Sequence, residues 1–163
     1  MKRIVVGVDD SPGSEAALTW AAEEARLHDA ELLIVHAYGV PSDYPSLTLA
    51  AVYTADTRAV QRSVGERDRE RQAGFDRARQ HAEATVATAL RRALPHGTGI
   101  HLESLPVANT RPARALIEAS RDADLLVVGS RGRGNVAGLV LGSVSQQCLH
   151  HSACPVAVVR PAA

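Results

Sequence analysis

Aromatic side chains are nearly absent: they make up 3% of the 163 residues, with one Trp, one Phe and three Tyr. The core must therefore be built from Ala, Val, Leu and Ile, which dominate the 45% hydrophobic fraction. Stacking platforms for single-stranded nucleic acid are excluded with the aromatics. Lysine is just as scarce, since Lys2 is the only one among 18 basic residues. A Walker A loop needs Gly-Lys-Ser/Thr, and here Asn135 follows Gly134. Charge of one sign is missing too: 18 basic residues balance 18 acidic ones. No broad basic face follows from that balance, which argues against nucleic-acid and membrane-surface partners. Two cysteines, Cys148 and Cys154, lack metal-ligand spacing and fit a reducing compartment. No apolar run approaches the roughly 18 residues of a membrane span. The apolar stretch after Met1 is too short for a signal peptide. The expectation is a cytoplasmic, single-domain protein over residues 1–163 with a sizeable core.

One further absence is local. Asp124 is the last acidic residue, yet Arg131, Arg133 and Arg160 follow it. This basic tail carries the most informative pattern in the chain. Gly129, Gly132, Gly142 and Ser143 form G-x-x-G, nine residues, then G-S, directly after the apolar run Leu125 to Val128. A short continuous apolar run reads as a buried parallel strand, and ligands in open α/β sheets sit at the carboxyl ends of strands. Glycines there allow close backbone approach, and their N–H groups can face phosphate oxygens. Gly142-Ser143 opens a helical stretch, whose N-terminus favours anions. Glycines alone also mark an ordinary solvated turn, so the rest of the chain has to discriminate.

Along the chain, apolar β-rich runs alternate with helical spacing. Strands are expected at Ile4 to Val8, Glu31 to Ala37, His101 to Pro106, Asp124 to Ser130 and Val156 to Arg160. Helices are expected from Ser14 (a candidate cap) to His28, from Gln61 to Leu94 with a possible break near Gly74, from Pro112 to Ser120, and from Ser143 to His151. Residues 38 to about 63, with Pro41 and Pro45, read as an excursion of loop and helix. Alternating strands and helices predict an α/β fold. The sheet should be five-stranded, parallel and doubly wound, in the order 3-2-1-4-5. Strands one and four would flank the crevice where strand order reverses. Asp9 at the end of strand one is then either a ligand contact or the opening of an Asx-turn.

Several segments together resemble the universal stress protein family, in its ATP-binding subgroup. They are Ile4-Val-Val-Gly-Val-Asp9-Asp10-Ser11, Val35-His36-Ala37, Gly129-Ser-Arg-Gly132 through Gly142-Ser143, and Cys154-Pro155-Val-Ala-Val-Val159. The resemblance implies a Rossmann-like fold that binds ATP with Mg2+ or Mn2+ and acts as a nucleotide-dependent stress-response module. It places Asp9 by the ribose or the phosphate-bound metal, and the Ala37 backbone at the adenine edge. Gly129 and Gly132 fall at the ribose and phosphates, and Gly142 and Ser143 at the phosphates. Arg133 belongs to the same set. The chain departs from the family at Asp10, where Gly is usual, and at Thr110-Arg111-Pro112, where Gly-x-Pro is usual.

No nucleophile or general base has an evident activating partner, so at most slow ATP hydrolysis is expected, with no catalytic residues. The alternatives are an enzyme acting on adenine nucleotides (phosphoanhydride hydrolysis or adenylyl transfer) and a nucleotide-free interaction module. The Val156 to Val159 run would be an apolar sheet edge suited to a two-fold homodimer. Other patterns fall away. Gly132-Arg-Gly134-Asn-Val-Ala137 matches a dinucleotide fingerprint but lacks the acidic residue roughly 20 positions on. The interleaved arginines and carboxylates from Arg62 to Arg79 form a solvated helix face. His150 and His151 point about 100° apart on a helix and suit its C-terminal dipole better than a metal.

Overall fold

A computed structural model describes residues 1–39, 57–95, 97, 101–108, 111–132 and 141–161. The elements are β1 (Arg3–Gly7), α1 (Pro12–His28), β2 (Glu31–Tyr38), α2 (Thr57–Ala93), β3 (Leu102–Ala108), α3 (Pro112–Ala119), β4 (Leu125–Gly129), α4 (Ser143–His151) and β5 (Val156–Val159). All strand pairings are parallel, and the sheet runs β3-β2-β1-β4-β5. The α/β class with a parallel sheet agrees with the expectation from the sequence.

Alternation along the strands builds two cores. Ile4, Val6, Leu32, Ile34, Leu125 and Val127 pack under α1 and α2 with Ala17, Leu18, Ala21 and Val86. Val5, Leu33, Val35, Leu126 and Val128 face the opposite way, against Leu116 of α3 and Cys148 of α4. Strands covered on both faces carry no polar side, which is why they read as unbroken apolar runs. Cys148 is fully buried, and burial, with Cys154 nearby, pushes its thiol up to about 11. It is a small packing residue.

Element ends show where local chemistry departs from the sequence reading. Ser11, not Ser14, caps α1: its Oγ accepts the Ser14 N–H at 3.2 Å, and Pro12 fills the first helical turn. Helix α2 begins at Thr57, within the segment read as an excursion, and continues through Gly74 without a break. An interior glycine costs about 1 kcal/mol relative to Ala, too little to stop a helix this long. Residues 40–56 of the expected excursion lie outside the described residues. At the amino ends of the strands, the Asp124 carboxylate accepts the backbone N–H groups of Lys2 and Arg3. Arg3 joins Glu31 at 3.2 Å and Glu103 at 3.7 Å, stitching β1, β2 and β3 there.

Candidate functional site

At the carboxyl ends of β1, β2 and β4 lies a cleft of about 200 Å³. Of the residues expected at the site, Asp9, Ala37, Gly129, Gly132, Gly142 and Ser143 line it together. Arg133 lies outside the described residues. The cleft sits between β1 and β4, where the connections run to opposite sides of the sheet. Its inner wall is apolar: Val35, Leu116, Val128, Val144 and Pro112. Polar groups converge at the mouth, as small-molecule sites usually arrange them.

The β1–α1 loop is held by two serines absent from the expected site. Ser11 donates its backbone N–H to Asp9 Oδ1 at 3.2 Å, and its hydroxyl donates to the same oxygen. The Asp9 N–H donates to Ser14 Oγ at 3.2 Å, while Ser14 Oγ donates to Ser11 O at 2.9 Å. Both serines are buried. Asp9 thus makes the Asx-turn that was one of its two readings, while also lining the cleft. The turn bonds fall on Oδ1, and Oδ2 faces Gly132, where an added Cβ would lie only 2.5 Å away.

Each glycine has its own reason. A Cβ at Gly129 would meet Gly13 O at 2.7 Å and Ser14 N at 2.9 Å, so Gly129 lets α1 start directly against the end of β4. Gly13 answers it, with a Cβ there 2.5 Å from Arg131 O. Gly142 is different: a Cβ would find only ordinary contacts from 3.5 Å outward. Its N–H donates to Ser130 O at 2.7 Å and so is already engaged within the protein. The amides at the mouth that fit an anion are therefore those of the first turn of α4, beginning at Ser143, which have no intrahelical acceptor. Ser130 anchors the loop, its N–H reaching Val159 O at 2.7 Å and its carbonyl also accepting Ser145 Oγ at 3.2 Å.

Asp10 takes a left-handed conformation at φ 63°. Glycine, which the resemblance leads one to expect here, would take that conformation without steric cost. Its carboxylate reaches Arg92 at 3.4 Å in an exposed pair. Of the second departure, Arg111 precedes the first turn of α3 and Thr110 lies outside the described residues. The fit to a metal depends on who supplies the oxygens. Asp9 is a single carboxylate at the cleft, and among the described residues no three His, Cys, Asp or Glu cluster as a ligand set. One carboxylate plus ligand phosphates is a common way to hold Mg2+, so the residues fit a cation arriving with a phosphorylated ligand.

A family model for the universal stress protein family matches residues 1–160. The chain belongs to the universal stress protein family. A universal stress protein of Mycolicibacterium smegmatis is 37% identical over 157 residues, covering 96% of this chain and 47% of that protein. The chain thus spans about half the length of the curated relatives of this kind. A universal stress protein of Thermus aquaticus is 35% identical over 161 residues and covers 98% of both chains. Among solved structures, a universal stress protein in complex with cAMP is 28% identical, with a TM-score of 0.60 over 99% of this chain and 98% of that one.

Proposed function

We propose that this universal stress protein binds an adenine nucleotide, ATP with Mg2+ or Mn2+, in the cleft between β1 and β4, and acts as a regulatory module. The observation that carries the reading is the convergence, at the strand-order reversal, of Asp9, the glycine-lined β4 loop and the first turn of α4. The apolar wall formed by Val35, Leu116 and Val128 suits a base, and the open mouth at Ser143 suits phosphates. The solved family member in complex with cAMP supports an adenine ligand. Asp9 is the carboxylate at the cleft, and its tie to Ser11 belongs to loop architecture. The reading is accordingly of ligand-dependent signalling with at most slow hydrolysis.

The direct test uses backbone chemistry. Ser143 is the first helical residue of α4, and Gly142 before it is extended at φ −78°, ψ 164°. Proline is tolerated at such a position, so Ser143→Pro keeps the helix while deleting one amide and the hydroxyl. Calorimetric titration of nucleotide-stripped protein with ATP and magnesium should show saturable binding, weakened about tenfold or more in Ser143→Pro, the scale of one charge-assisted hydrogen bond. Absence of binding in the parent, or an unchanged affinity in the variant, would remove the reading.

We also propose a two-fold dimer through β5. The sheet's two edges are unequal. His101 O accepts from Leu32 N, and alternation then turns the nitrogen of Pro106 outward, so the β3 edge lacks a donor there. No proline interrupts β5. A cytoplasmic location fits the cysteine usage.

A further inference from the structure

The strands that bound the base side of the cleft part company just above their ladder. Gly7 and Val35 are the last paired residues of β1 and β2, and the Val8 N–H still reaches Val35 O at 2.9 Å. Beyond that point a side chain bridges them: His36 Nδ1 lies 2.7 Å from Val8 O. A carbonyl oxygen only accepts, so the ring donates through Nδ1–H, in the neutral and protonated forms alike. His36 is 5% exposed, so no water readily replaces the bond. By strand alternation its ring lies on the α1/α2 side with Ile34, whereas Val35 and Ala37 on either side of it face the cleft.

We propose that His36 is a positioning residue for the base-side wall of the cleft, fixing the Ala37 backbone relative to the Val8–Asp9 peptide and so setting the preference for adenine. The inference rests on the adenine-nucleotide reading above. His36 touches no ligand in this scheme. It acts through the backbone, because recognition of a base edge by main-chain groups fails once those groups shift out of hydrogen-bonding geometry. The amides of the first turn of α4, which would meet the phosphates, take no part in this tie.

The test compares His36→Asn with His36→Gln. Asparagine carries an amide nitrogen at the same bond count from Cα as Nδ1, whereas glutamine carries it one bond farther out. Titrations would use AMP, GMP and inorganic tripolyphosphate on each folded variant. His36→Asn should keep AMP affinity within about twofold, while His36→Gln should lose about tenfold, as for one misplaced hydrogen bond. The AMP-over-GMP preference should narrow in His36→Gln, and tripolyphosphate should bind all three proteins alike. Equal behaviour of the two variants, or parallel losses of AMP and tripolyphosphate, would overturn the role. A parent protein that binds tripolyphosphate but not AMP would overturn it together with the base-side reading. A parent that binds none of the probes would remove the nucleotide reading itself.

Discussion

At the scale of single residues, glycine carries two meanings that a sequence does not separate. The sequence reads Gly129 as a ligand contact, yet its lack of a side chain is demanded first by Gly13 and Ser14, over a hundred positions away in the chain. Gly142 has room for a methyl group, so no close contact demands glycine there. The reverse case is Asp10, a non-glycine residue in a left-handed turn. Asp10→Val should destabilise the protein by about 1–2 kcal/mol, because a β-branched residue resists this region. Asp10→Gly should lie within about 1 kcal/mol of the parent, since relief of the turn offsets a weak exposed pair with Arg92. Urea unfolding of the two variants measures both, and equal midpoints would show that the turn imposes no strain. Ser11 and Ser14 escaped the sequence reading of the site because a buried serine bonded to backbone leaves no spacing pattern. The cap signal is present but falls on Ser14, whereas Ser11, before Pro12, is the residue that caps α1.

At the scale of elements, strand and helix identities were legible because buried parallel strands and amphipathic helices write distinct periods into the sequence. Boundaries were less so. The start of α2 at Thr57 lies in a stretch without proline, and its early turns have no clear apolar face to announce them. The tie at the amino end of the sheet was invisible as well. Asp124 stood out only as the last acidic residue, whereas it closes the start of β1 through the Lys2 and Arg3 amides. Those two backbone bonds, chiefly the one from Lys2, hold its carboxyl below the usual value of 3.8. A depressed folded-state value means the contribution is present above pH 3.8 and fades as pH falls through the lower, folded value. Asp124→Asn should therefore be less stable than the parent at neutral pH, with the gap narrowing in acid. Thermal midpoints between pH 7 and pH 3 would show this, and a gap constant across that range would refute it.

At the scale of the whole molecule, the parallel sheet leaves two edges, and the proposed dimer uses the one at β5. Pro155 O and Val159 O accept from β4 at 2.9 and 2.7 Å, so alternation points the N–H groups of Val156 and Val158 off the sheet. The side chains of both valines pack inward against the α3/α4 core. Val158→Pro therefore deletes an outward donor while sparing the ladder to β4 and most of the packing. Sedimentation velocity should move from dimer to monomer in this variant, with thermal unfolding confirming that the fold persists. A dimer that survives would place the interface elsewhere.

The cleft also has a history written into its connectivity. Ser11 Oγ and Arg131 O approach to 3.4 Å across 120 positions of chain, and β1 meets β4 only after every intervening element has been made. Each half of the polypeptide supplies one wall of the pocket, and neither supplies both. During synthesis the opening strand must wait for β4 and α4 to emerge before its loop acquires a counterpart. Any ligand that bridges the two walls would favour chains in which they have met over chains in which they have not, and its stabilisation would reach both sides of the sheet at once.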